Sequence, residues 1–291
     1  MLRIPIAFFE GKKIPRIILS VQANPQKISS LMRAAYDLGG WCFDLPSSKH
    51  LQAYRELRSL TDDQNLTCLC HLEVEEGASL FGKPLHQFES KIAATLRKIL
   101  SLPPSIRNFP SPAPFSEVLT QKEIDRISFD PPRFGRALSL LNPEESPFLL
   151  VGDRYGEWLL ALGRIDLLKE MMAMVRDKGF IPILSGQWAT FFLPTAKPLD
   201  AAAFAVPINK KWGLFSLSGA SDLIKKFDRP VIGLNPLADG ELLKTSEEAF
   251  SFLFNELKIH SAIARFSSEE EARAILMALE KFPSLILRRR P

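Results

Sequence analysis

Short apolar runs alternate with longer amphipathic segments along most of this chain. Residues 14–21 are rich in branched side chains and predict a strand. Residues 26–38 then place Ile28, Leu31, Met32 and Ala35 on one helical face, and Gly39-Gly40 ends that helix. The same alternation predicts strands at 41–45 and 66–72, each followed by a helix, at 51–60 and 86–100. It resumes with a strand at 148–151 and a helix at 166–178. Further strands follow at 181–184, 202–208, 230–237 and 262–266, and further helices at 221–227, 247–257 and 268–281. Ser268 caps the last helix, and Glu269, Glu270 and Glu271 fill its first turn, where carboxylates oppose the positive dipole end.

Between 103 and 146 the rhythm breaks. This stretch is proline-rich, with helical pieces only around 121–127 and 134–141. Loops of that length in a compact domain are functional or disordered. We read it as an insertion before the fourth strand, and expect it to climb the side and partly cover one end of the fold. Eight strand–helix units in order imply a parallel sheet with right-handed crossovers. An open doubly wound sheet competes, but no Gly-x-Gly-x-x-Gly follows the first strand. The expected class is therefore α/β, a (β/α)8 TIM barrel with an N-terminal β-hairpin, as one domain over 1–291.

Composition narrows the partners. The formal charge of +4 is small for 291 residues, and Arg288-Arg289-Arg290 is the only basic run, so nucleic acid is not expected. No apolar run approaches the ~18 residues of a membrane helix, and the first residues lack a signal-peptide pattern. Cys42, Cys68 and Cys70 read as free thiols, and we expect a cytoplasmic location. Cys68 and Cys70 share one strand face, with Cys42 on the next strand. Three thiols packed in a barrel serve as small apolar groups more often than as metal ligands, since zinc needs about four converging donors. No metal is expected and no cofactor is assigned.

The chain opens with a hairpin pattern ending in Gly11-Lys12-Lys13-Ile14-Pro15. Residues 38–44 read Leu-Gly-Gly-Trp-Cys-Phe-Asp, residues 229–240 read Arg-Pro-Val-Ile-Gly-Leu-Asn-Pro-Leu-Ala-Asp-Gly, and residues 267–272 read Ser-Ser-Glu-Glu-Glu-Ala. In order and spacing these resemble the aldo-keto reductases: the hairpin that plugs the barrel, the second strand, the seventh strand and the last helix. The likeness covers roughly 1–60 and 225–282. It implies a barrel that holds NADP near its late strands. Of the family's four catalytic positions, only Asp44 is matched. The tyrosine five residues after the aspartate is Lys49 here, the lysine at the third-strand end is replaced near Cys70 or His71, and the histidine at the fourth-strand end has no clear counterpart. Arg265 stands where many relatives have glycine.

Barrel sites form at the C-terminal strand ends. The residues expected there are Gln22, Asn24, Asp44, Ser47, Ser48, Lys49, His71, Glu73, Glu75, Asp153, Arg154, Tyr155, Ser185, Gln187, Trp188, Asn209, Lys210, Lys211, Asn235, Arg265 and Ser267. From these we take Asp44, Lys49, His71, Asp153 and Tyr155 as candidate catalytic groups. Arg154, Gln187, Asn209, Lys210, Asn235, Arg265, Ser267 and Ser268 are candidate ligand-binding groups. Lys210, Arg265 and the helix start at Ser267-Ser268 suggest an anion site. The reading is a barrel that binds a small anionic molecule, phosphorylated ones included, and is not a standard NADPH reductase of aldehydes or ketones. The alternatives are a non-catalytic interaction barrel, with residues 103–146 as interface, and an NADP-dependent oxidoreductase in which Tyr155 supplies the proton. Composition leaves the oligomeric state open.

Overall fold

A computed structural model describes residues 4–100, 117–153, 155–211 and 216–284. Eight strands close into a parallel ring. They are β1 (Ile17–Val21), β2 (Cys42–Leu45), β3 (Thr67–Leu72), β4 (Phe148–Val151), β5 (Ile181–Ser185), β6 (Ala203–Pro207), β7 (Val231–Leu234) and β8 (Ser261–Phe266). Each pairs with its sequence neighbours, and β8 pairs with β1 to close the barrel. The expected (β/α)8 class is the observed one.

Side-chain alternation sorts the strands into two layers. Ile18, Cys42, Leu69, Leu150, Ile183, Ala205, Ile232 and Ile263 fill the ring. Leu19, Phe43, Cys68, Cys70, Leu149 and Phe204 face the surrounding helices. The three cysteines therefore do not share the barrel interior. Cys42 points in, whereas Cys68 and Cys70 point out, because residues on adjacent strands converge only when their parity agrees.

The hairpin Ile6–Phe9/Lys12–Pro15 turns on Glu10 and Gly11, both at positive φ (49° and 80°), as a two-residue type I′ turn demands. Its Ala7, Phe9 and Ile14 join the interior cluster, and the Phe9 ring stands edge-on to Phe148. This plugs the N-terminal end of the ring and leaves the other end as the mouth.

Helices α1 (Ile28–Asp37) and α2 (Ser48–Thr61) follow the predicted pattern. The next crossover does not. Helix α3 (Glu89–Ile99) is amphipathic as expected, but it packs against a later helix, Gly156–Ala161, beyond β4. A second short helix, α4 (Gln121–Ile124), follows it. Helix α5 (Pro131–Leu138) takes the third crossover place. It packs on helix Ile165–Asp177, and the chain just beyond it is tied to α2 by the Arg55–Glu145 ion pair. The elaboration therefore starts directly after β3 and runs to about residue 130, earlier than the 103–146 bounds read from composition. A helical face says that a helix packs, not on what.

Within that elaboration Ala78–Leu80 pairs antiparallel with Lys83–Pro84 and with Ile127–Phe129. Of the expected cover, Ala137, Leu140 and Leu141 border a cavity of about 300 Å3 together with Ser47, Ser48 and His71. Residues 117–138 lie beside the barrel, and no hydrogen bond or ion pair among the described residues joins them to Asp44, His71 or Arg265. Thr95 Oγ1 accepts from Leu119 N, Lys91 pairs with Glu123, and Arg164 donates to the Ile124 and Ile127 carbonyls. Residues 103–116 of the expected insertion lie outside the described residues.

Arg133 in α5 ties the small sheet to the barrel. Its guanidinium donates to the Glu76, Glu75 and Ala78 carbonyls at 2.7, 2.7 and 2.8 Å. Arg133→Ala removes three charge-assisted bonds, two of them partly buried, and is expected to cost about 2–3 kcal/mol. Urea unfolding would measure the loss. Hydrogen exchange should rise first at 74–80 and 127–129, and uniform exchange across the chain would contradict this role. No helix among the described residues is long and apolar enough to cross a membrane.

Candidate functional site at the barrel mouth

The alternation that buries Ile18, Cys42 and Leu69 also turns Ser20, Asp44 and His71 inward, two residues nearer the mouth. Register brings them side by side. Arg265 on β8 lies across from Ser20 on β1, and Ser20 lies across from Asp44 on β2. Asp44 Oδ1 meets His71 Nε2 at 2.5 Å, and Asp44 Oδ2 accepts from Ser20 Oγ at 2.8 Å. Both carboxylate oxygens of a residue only 4 % exposed are thus engaged.

The electrostatics follow from this triad. Burial alone would push the Asp44 carboxyl up. The His71 charge and hydrogen bond, the Ser20 hydroxyl and the Arg265 charge outweigh it, and hold the carboxyl below the usual aspartate value. Burial likewise opposes a charged His71. The charge and hydrogen bond of Asp44, with smaller contributions from Asp153 and Glu73, outweigh that too and raise its pKa to about 9. At neutral pH His71 is therefore an imidazolium, with its side chain still 15 % exposed at the mouth. Such a group can hold an anion and can donate a proton.

No protein-family sequence profile matches the chain, and no curated protein does. Solved structures match over nearly its whole length. The aldo-keto reductase AKR11C1 from Bacillus halodurans superposes with a TM-score of 0.53 at 11% identity, covering 97% of this chain and 93% of its own. An aldo/keto reductase from Brucella melitensis gives 0.55 at 9% identity, covering 97% and 96%. A thermostable aldo-keto reductase, Tm1743, solved with the inhibitor epalrestat, gives 0.54 at 12% identity, covering 96% and 95%. The chain has the aldo-keto reductase barrel fold. At these identities the likeness concerns architecture, and chemistry must be argued from the side chains. The aldo-keto reductase resemblance left Cys70 or His71 open as the replacement for the third-strand lysine. In this fold His71 is the one that faces Asp44, and Cys70 faces the helix layer.

The other candidates separate into groups. Asp153 follows β4 and accepts from Ser185 Oγ at a long 3.5 Å; its charge acts on His71. Tyr155 is 2 % exposed, with its ring edge-on to Trp158. Lys49 is exposed in the first turn of α2, and no described hydrogen bond ties it to Asp44. Gln187 is exposed at the rim, whereas Trp188 is buried beside Phe191. Asn209 is buried and donates to the Asn235 carbonyl, joining the loops after β6 and β7. Asn235 sits at positive φ, and its side chain accepts from Asp239 N. Arg154 lies outside the described residues.

The expected anion site is not assembled as foreseen. Lys210 pairs with Glu248 at 2.7 Å on the outer helix layer, because the buried residue of that loop is its neighbour Asn209. The helix start is occupied by the chain itself. Ser267 N and Oγ both donate to Glu271 Oε2, and Ser268 Oγ accepts from Glu271 N. Arg265 stands 3.7 Å from Asp239 over a cleft of about 80 Å3. Of the proposed cationic anchors among the described residues, Arg265 contributes its charge to the mouth and Lys210 does not.

Two site residues were missed by sequence reading. Ser20 could have been found by extending the inward parity of Ile18. Glu157 could not. It is a carboxylate in the short helix α6 (Gly156–Ala161), 2 % exposed, accepting from Gln187 N and Trp188 N at 3.0 and 2.8 Å. It fixes the rim loop after β5, and nothing in its own sequence neighbourhood announces that.

Proposed function

We propose that the mouth binds a small anionic molecule between His71 and Arg265, and that the chain is not a standard NADPH-dependent reductase of aldehydes or ketones. One observation carries the reading: His71, held 2.5 Å from the Asp44 carboxylate whose charge raises its pKa, is presented at the end of the barrel where ligands of this architecture bind. Arg265 lies three strands away, across β1 and β2, and adds a second cation. Asp44 positions His71, and Ser20 positions Asp44. Three features argue against a dinucleotide-dependent reductase. The phosphate-binding helix start already holds Glu271, the adjoining cleft is about 80 Å3, and Tyr155, the one candidate phenol donor, is buried against Trp158.

Thermal shift with a panel of small carboxylates, phosphate esters and their neutral analogues tests the binding, because a ligand of the native state alone raises the midpoint. At least one anionic compound is expected to raise it while its neutral analogue does not, with the shift reduced in Arg265→Ala. NADPH with a panel of aldehydes is expected to show no turnover above the protein-free rate. Turnover that disappears in Tyr155→Phe would instead establish the relocated-donor reductase.

A further inference from the structure

A second cavity, of about 600 Å3, lies at the plugged end of the barrel, away from the mouth. It opens between the hairpin, the end of α1 and the loop that leads into β3. Its size falls within the range of roughly 300–1,000 Å3 typical of small-molecule sites. Two aromatic side chains, Tyr36 and Trp41, and two hairpin lysines, Lys12 and Lys13, line it together with Asp63 and Asn65.

The Asp63 carboxylate is committed to the protein. Its Oδ2 accepts from Tyr36 Oη at 3.1 Å, and its Oδ1 from Asn65 N and Nδ2 at 2.8 and 3.2 Å. These bonds hold the Tyr36 ring in place. Trp41 is half-buried and packs against both the barrel interior and the helix layer, so the indole is held as well. Among the described residues, by contrast, neither Lys12 nor Lys13 meets a carboxylate within ion-pair distance, and both are exposed. Two lysines against one satisfied carboxylate leave the cavity with a net positive charge. Held aromatic faces beside unpaired ammonium groups suit a flat ring that carries a negative charge. We infer that this cavity is a binding site for a planar aromatic anion, an aryl carboxylate, sulfonate or phosphate, recognised by the Trp41 and Tyr36 rings and by Lys12 and Lys13. It is independent of any ligand at the mouth.

The probe pair is 8-anilino-1-naphthalenesulfonate and its neutral parent, N-phenyl-1-naphthylamine, titrated by dye fluorescence. The sulfonate is expected to bind at one site, about fivefold more tightly than the neutral dye, the preference that two half-solvated charges supply. Its emission should be sensitised by tryptophan, and this sensitisation should fall in Trp41→Phe. The charge reversal K12E/K13E should abolish the preference for the sulfonate. K225E/K226E, an equal reversal on an exposed helix end, should leave it. If the hairpin reversal unfolds the protein, the neutral pair K12Q/K13Q should remove the preference in its place. Equal affinity for the two dyes overturns the inference. So does a preference that survives the hairpin substitutions, or sensitisation unchanged in Trp41→Phe.

Discussion

Replacing His71 with alanine is expected to lower stability by about 3–5 kcal/mol at pH 7, because it leaves the Asp44 carboxylate buried with only Ser20 as partner. The double variant Asp44→Asn/His71→Ala removes both charges and should cost less than the sum of the single losses, by roughly 2 kcal/mol. The pair also sets a pH window. Folding raises the His71 pKa from 6.5 to about 9, so the folded protein holds this proton more tightly than the unfolded chain. The stabilisation is complete below about pH 6.5 and fades as pH rises through 9, by about 3 kcal/mol in total. Denaturant unfolding between pH 6 and pH 10 should show the wild type losing stability across that window, with His71→Ala flat by comparison. Parallel curves for the two proteins would sink the assignment of a charged His71, and with it the anion site at the mouth.

The second large effect concerns Glu157. Burial pushes its carboxyl up to about 7, although the Trp188 and Gln187 N–H groups favour the charged form. A folded value above the ordinary 4.5 means that the fold prefers the neutral acid. This contribution is present at low pH and is lost as pH rises through 7, about 3 kcal/mol between roughly pH 4.5 and pH 7. Glu157→Gln keeps an acceptor oxygen and removes the titration, so its stability should vary less than the wild type's over that interval. Glu157→Leu leaves one buried and one partly buried N–H group without their acceptor and is expected to cost about 2–4 kcal/mol near pH 4.5, a cost that shrinks as pH rises through 7 because only the wild type loses stability there. The same variant should loosen the rim loop at Gln187 and Trp188, which tryptophan fluorescence would report. A Glu157→Gln protein with the wild-type pH slope would refute the titration.

These two carboxylates differ in how far they could be read in advance. Asp44 ends an apolar run after a Gly-Gly stop, so its place at a strand end was legible. Its partner was narrowed to two neighbours, and strand parity chose between them. Glu157 lies among apolar residues in a six-residue helix and looks like an ordinary solvent-facing charge. Only the loop after β5, 30 residues away in the chain, supplies its two donors. Lys210 errs the other way. It was taken as an anchor because it follows a strand, but one residue of phase sends it outward to Glu248 and puts Asn209 inside.

Local residue pattern sufficed for the ring of strands, the plugging hairpin and the end at which polar groups gather. Periodicity of 2 and 3.6 and the turn residues are local, and eight local units in order close in one way. Tertiary structure alone decided which helix fills the third crossover. It also decided that residues 117–138 lie beside the barrel and that Glu271 occupies the late helix start, since each depends on contacts between distant parts of the chain. The charge of His71 belongs here too. An isolated imidazole titrates near 6.5, and only the barrel's register sets Asp44 against it and keeps water from weakening the pair.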